Sequence, residues 1–128
     1  MKAYRRGSLE FIKANLKFYG DTAVILGSGL GHISDLIENR KSIKYTSIPN
    51  YPKSTIEGHA GELVSGIIQG KEILIANGRF HLYEGYSKEQ INYPFKIFKD
   101  LGVKNIVITN SSGSCLLYTS DAADDVRG

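Results

Sequence analysis

Residues 22–31 read Thr-Ala-Val-Ile-Leu-Gly-Ser-Gly-Leu-Gly, and the change of character at Leu26 decides the fold class. Five apolar or β-branched residues in succession are the pattern of a short strand buried on both faces. The run ends in Gly27-Ser28-Gly29-Leu30-Gly31, and Ile33, Leu36 and Ile37 then mark a short helix. A buried strand that empties into a glycine turn and a helix is the opening unit of an α/β sheet.

The flanking sequence extends that unit. Upstream, Leu9, Ile12, Leu16 and Tyr19 share one helical face, so Ser8 to Tyr19 is expected to be a helix capped by Ser8 and stopped by Gly20. Downstream, 43–48 reads as a weaker strand and Pro49-Asn50-Tyr51-Pro52 as a loop. Residues 62–69 and 72–77 read as strands joined at Gly70-Lys71. Ser87 and Gln90 form a capping box that opens a second helix with Ile91, Phe95, Phe98 and Leu101 on its core face. Pro94 lies inside that helix and is expected to kink it or delay its start. Gly102 ends it, and 103–109 is another buried strand. The order predicts an α/β fold, a mixed central sheet flanked by helices.

Composition narrows the function. Hydrophobic residues make up 41% and charged residues 23% of 128 residues, the balance of one globular domain rather than a disordered chain. The single cysteine, Cys115, excludes an internal disulfide framework and fits a reducing cytosol. No apolar h-region follows the basic N-terminus and no run approaches a membrane span, so a soluble cytoplasmic protein is expected. The net charge is +3, and +5 once Asp121, Asp124, Asp125 and Arg127 are left out. That excess is spread along the chain instead of forming the basic stripe of a nucleic-acid surface. It suits a small anionic substrate, and a solvated surface explains it equally well.

Four stretches carry candidate chemistry. Glycines at 27, 29 and 31 let backbone N–H groups surround an anion at a helix start, with the Ser28 hydroxyl as a further donor. A dinucleotide fingerprint would need glycine where His32 stands, and a nucleophile elbow would need glycine where Leu26 stands. A tight turn without a ligand is the plain alternative. In Gly58-His59-Ala60-Gly61, two glycines flank a histidine that could bond an anion, although a lone loop histidine is more often structural. Gly78-Arg79-Phe80-His81-Leu82-Tyr83-Glu84-Gly85-Tyr86 is more telling. If extended, it puts a guanidinium, an imidazole and a phenol from Arg79, His81 and Tyr83 on one face. Asn110-Ser111-Ser112-Gly113-Ser114 follows a strand and offers backbone donors, or only a turn. The three histidines and one cysteine have no metal-ligand spacing. The three richest loops each follow a predicted strand, where α/β sheets collect ligands.

Taken in order and spacing, these stretches resemble the homotrimeric purine nucleoside phosphorylase family. The resemblance runs through Val24 to Gly31, the Pro49 to Gly61 loop, Gly78 to Tyr86, and Thr109 to Ser114, and covers roughly residues 1–114. Methylthioadenosine phosphorylases, which differ at Gly78 to Tyr86, come second. The resemblance implies a nucleoside phosphorylase-like fold and cleavage of purine ribonucleosides by phosphate to free base and α-ribose 1-phosphate. It implies that Ser28, Arg79, His81 and the backbone at Ser111 hold phosphate, with His81 catalytic, His59 near the phosphate and Tyr83 at the ribose. It further implies inorganic phosphate as co-substrate, no cofactor or metal, a homotrimer, and a cytoplasmic role in purine salvage without nucleic-acid or membrane partners. Serine at 111 stands where the family often has alanine, which a backbone contact tolerates.

Residues 1–114 are expected to be the N-terminal part of one phosphorylase domain. From Cys115 to Gly128 the pattern is lost, and the tail reads as non-family sequence with neither a strand nor a helix that continues the alternation. The purine-gripping residues are expected in a later half that this sequence does not contain, so the chain is expected to be inactive alone. Two other readings stay open: a non-catalytic phosphate- or nucleotide-binding α/β module, and, disfavoured by the missing elbow glycine, a hydrolase using Ser28.

Overall fold

The computed structural model describes residues 3–26, 31–52, 61–78, 86–109 and 115–119. In chain order these form α1 (Ala3–Leu16), β1 (Thr22–Leu26), β2 (Glu38–Lys44), β3 (Glu62–Ile68), β4 (Lys71–Asn77), α2 (Lys88–Asp100), β5 (Asn105–Thr109) and β6 (Cys115–Thr119). Single 3-10 segments occupy Gly31–Leu36 and Tyr45–Ser47. Among the described residues no helix is long and apolar enough to cross a membrane.

The strands make one mixed six-stranded sheet in the order β2-β3-β4-β1-β5-β6. β1 lies inside it, parallel to β4 on one side and to β5 on the other. Its continuous apolar run is what a strand enclosed by two neighbours and two faces requires. β3 and β4 form an antiparallel hairpin. Its turn is Gln69-Gly70, with φ of 52° and 80°, the two positive angles that match the twist of a tight hairpin. At one edge, β2 carries Glu38, Arg40, Lys41 and Lys44, a charged, mostly exposed strand that resists pairing with a further chain.

Alternation along the strands sends side chains to two cores. Ala23, Ile25, Leu63, Leu74, Ala76 and Ile106 meet both helices on one face. Leu26, Val64, Ile73 and Ile75 lie on the other face, against Ile33 and Ile37 from the segment after β1. Both described α-helices therefore cover the same face. They are tied to each other by Arg5 Nε, which donates to Asp100 Oδ2 at 3.0 Å with both side chains largely buried.

α2 follows the sequence reading. The Ser87 hydroxyl accepts from the Gln90 N–H at 3.1 Å while the Gln90 side chain accepts from the Ser87 N–H at 2.9 Å. The helix begins at Lys88 with Pro94 inside it, so the proline does not delay its start. At its end Val103 N–H bonds to Phe98 O and Gly102 N–H to Lys99 O, with Gly102 at φ +95°, a Schellman closure.

Three expectations are corrected. α1 spans Ala3–Leu16 rather than starting at Ser8, because Ser8 is not a cap. It sits fully buried inside the helix, its hydroxyl bonded to the Pro49 carbonyl and 2.6 Å from the Tyr93 hydroxyl. The helix stops at Leu16, Lys17 turns to φ 49°, and Tyr19, expected on the core face, is 83% exposed while Phe18 fills the core. The strand expected at 43–48 is displaced: β2 ends at Lys44, and Tyr45–Ser47 coils into a 3-10 turn. Finally, Cys115–Thr119 is a strand, antiparallel to β5, where none was expected. Unpaired backbone groups along the outer edge of β5 give an extended segment its partners.

Candidate functional site

One row of residues crosses the sheet. Lys44 pairs with Glu62, Glu62 with Asn77, and Asn77 with Leu26. On the far side Ile25 pairs with Ile108, one step short of the ends of β1 and β5, and Thr109 pairs with Cys115. The Thr109 hydroxyl bridges that gap by donating to the Ile25 carbonyl at 3.4 Å. Parallel strands must end on the same side of a sheet, and ligands of α/β proteins gather outside those carboxyl ends. Here the ends of β1, β4 and β5 are also level with one another. Because β3 runs the opposite way, its beginning reaches the same row.

That row is where four segments join the described structure. The chain leaves it at Leu26, Gly78 and Thr109, and returns to it at Gly61. The sequence-predicted site residues Ser28, His59, Arg79, His81, Tyr83 and Ser111 belong to those four segments and lie outside the described residues. Their flanking residues are brought together; nothing further is placed.

Tyr45, the first residue after β2, lies directly beneath two of the junctions. Its hydroxyl donates to the Gly78 carbonyl at 2.6 Å, and its N–H donates to the Gly61 carbonyl at 3.0 Å. Both partners are glycines for a packing reason. A Cβ on Gly61 would collide with Tyr45 Cε2 and lie 2.7 Å from Cδ2. A Cβ on Gly78 would stand 3.2 Å from the Gly61 Cα, and its φ of +123° is one that side-chain-bearing residues rarely adopt. The Tyr45 ring stacks on Tyr51, with centroids 5.0 Å apart and planes 10° apart. Tyr51 in turn meets Tyr93 edge-on at 5.8 Å.

The polar groups of the row are modest. Glu62 accepts from Arg40 at 3.3 Å and, at the limit of hydrogen bonding, from the Asn77 side-chain amide at 3.5 Å. Burial, with a smaller contribution from the Glu62 charge, pushes the Tyr45 phenol well above its ordinary range. Burial also raises Tyr51, with Tyr45 and Tyr93 adding to it. Both hydroxyls stay neutral across physiological pH and act as fixed dipoles. Among the described residues no group of three or more His, Cys, Asp or Glu could hold a metal ion. Sequence reading missed Tyr45. A tyrosine between charged residues at the end of a weak strand gives no periodic signal of the two glycines it will meet.

Residues 21–117 match the family model described as Phosphorylase superfamily. The chain is 48% identical over 103 residues to purine nucleoside phosphorylase 1 of Bacillus subtilis (strain 168), covering 80% of this chain and 38% of that protein. It is 41% identical over 110 residues to the purine nucleoside phosphorylase of Rattus norvegicus, covering 86% and 38%. Among solved structures it is similar to isoform 2 of the Schistosoma mansoni purine nucleoside phosphorylase in complex with cytosine and ribose-1-phosphate. The TM-score is 0.76 at 43% identity, over 84% of this chain and 38% of that one. The chain thus spans well under half the length of these relatives.

Proposed function

The chain belongs to the phosphorylase superfamily, and from that premise we propose that it carries the phosphate-binding portion of a purine nucleoside phosphorylase. The observation that supports this reading most is the common row. The roots of the segments bearing Ser28, His59, Arg79 and Ser111 stand side by side at the carboxyl ends of three parallel strands. Donors delivered from such an edge can enclose one small anion. The similar Schistosoma mansoni protein holds ribose-1-phosphate, the product that this chemistry would leave on such a cluster.

In the proposed reaction a phosphate oxygen forms a bond to C1′ as the bond from C1′ to the purine nitrogen breaks. The bonding pair leaves with the purine, which takes up a proton, and the sugar becomes α-ribose 1-phosphate. The sugar passes through an oxocarbenium-like state, so a phosphate held beneath C1′ is both nucleophile and counter-charge. In this reading Ser28, Arg79, His81 and the Ser111 backbone hold the phosphate, His81 is also the catalytic histidine, His59 stands close by and Tyr83 meets the ribose. No cofactor or metal takes part. The whole enzyme would be a cytoplasmic homotrimer acting in purine salvage. Residues 1–114 would form one continuous part of its domain, and the family match itself runs on to residue 117.

Titrating inorganic phosphate into the purified chain tests the reading by calorimetry. Saturable binding is expected, with ribose 1-phosphate competing. Loss of a charge-assisted contact costs about 1.5–3 kcal/mol, so Arg79→Ala should weaken binding about ten- to a hundredfold. An unaltered chain that binds no phosphate refutes the reading. No residue here is assigned to the purine, so incubation with inosine and phosphate should release no hypoxanthine at an enzymatic rate. Release at such a rate would show that the purine-gripping groups lie within this sequence.

A further inference from the structure

We infer that Tyr45 is a positioning residue for the phosphate site, clamping together the roots of the two segments that carry His59 and Arg79. The inference rests on the phosphate-binding reading above and adds to it a residue outside the expected contact set.

Four observations converge on it. First, one residue holds both roots by direct bonds, through its N–H to the Gly61 carbonyl and its hydroxyl to the Gly78 carbonyl. Second, the acceptor at Gly78 is the carbonyl covalently joined to the Arg79 nitrogen. The peptide unit is planar, so holding that oxygen sets the direction in which the chain enters Arg79. Third, glycine at 78 has φ of +123°, and without a side chain that peptide turns easily unless something holds it. Fourth, the clamp is anchored from behind. Tyr45 stacks on Tyr51, Tyr51 meets Tyr93, and the Tyr93 hydroxyl lies 2.6 Å from the hydroxyl of Ser8, which also bonds to Pro49. Both helices thereby brace the ring. Core filling alone calls for phenylalanine, whereas a buried phenol needs a partner. The partner here is the carbonyl at the root of the Arg79 segment.

The test compares Tyr45→Phe, which keeps the ring and removes the hydroxyl, with Ile12→Val, a core change on α1 of similar cost to stability. Urea unfolding checks that both fold cooperatively. Tyr45→Phe should raise the Kd for inorganic phosphate about fivefold, the worth of one buried hydrogen bond, while Ile12→Val leaves it unchanged. A Kd unaltered in Tyr45→Phe, or raised equally in Ile12→Val, overturns the inference while the phosphate-binding reading stands. No phosphate binding by the unaltered chain overturns both. A second measurement needs no substitution. Phosphate titration should shift the NMR resonances of Tyr45 Cζ and the Gly78 carbonyl carbon in the unaltered chain but not that of Tyr93 Cζ. If phosphate binds and neither moves, the inference fails.

Discussion

Replacing Gly61 with alanine puts a methyl group where the ring of Tyr45 stands. The added Cβ would overlap Tyr45 Cε2, lie 2.7 Å from Cδ2 and sit 3.0 Å from the Asn77 carbonyl oxygen. Favourable carbon contacts begin at about 3.5 Å. The ring has little room to retreat, since it is stacked on Tyr51, its hydroxyl is bonded to the Gly78 carbonyl, and the Tyr45 backbone N–H is bonded to the Gly61 carbonyl. Gly61 is not among the residues with positive φ, so sterics rather than backbone strain carry the penalty. Overpacking of this kind costs about 2 kcal/mol. With a urea m-value of about 2 kcal/mol/M for a domain this size, the midpoint should fall by about 1 M. The chain has eight tyrosines and no tryptophan, so tyrosine fluorescence reports the transition alongside circular dichroism. In a Tyr45→Ala background the methyl group meets no ring and keeps only the 3.0 Å approach to the Asn77 carbonyl, so adding Gly61→Ala should cost much less than in the unaltered chain. A coupling of about 1–2 kcal/mol between the sites is therefore expected. A midpoint unchanged by Gly61→Ala, or lowered equally in both backgrounds, refutes the clash.

Ser87→Ala removes the acceptor that satisfies the Gln90 N–H and should destabilise the chain by about 1 kcal/mol, seen as a lower urea midpoint. Arg5→Ala leaves the largely buried Asp100 carboxylate without the guanidinium that ties α1 to α2. A loss of about 2 kcal/mol, between the exposed and fully buried limits, should appear in the same assay. Alkaline pH should also unfold the protein. Tyr45 and Tyr51 have raised pKa values in the fold, so their contribution is fully present below pH of about 10. It is lost as pH climbs from there toward the folded values, because only the unfolded chain ionises. Stability should fall by about 1.4 kcal/mol per pH unit for each tyrosine, and Tyr45→Phe should make the slope shallower.

Much of the fold was legible in the sequence where the deciding forces act within a few residues. β1 occupies the five positions its apolar run indicated. The Ser87 and Gln90 pair starts α2, and Gly102 closes it with a positive φ. The hairpin turn fell one residue early, at Gln69-Gly70. Reading failed where a distant partner decides. Ser8 resembles a cap, yet it is held inside α1 by Pro49 and Tyr93, 41 and 85 residues away. β2 has no apolar alternation to announce it, and becomes a strand because β3 offers a free edge.

The same division runs through the candidate site. By itself the sequence determined which residue types could hold an anion and that their loops follow strands, since glycine turns, caps and apolar runs are local in origin. Only the tertiary structure decided that β1, β4 and β5 end level with one another and that Tyr45 meets Gly78 across 33 residues of chain. Register and pairing are set by which backbone edges and buried faces find each other. That choice depends on the packing of the whole chain, and no short window of residues contains it.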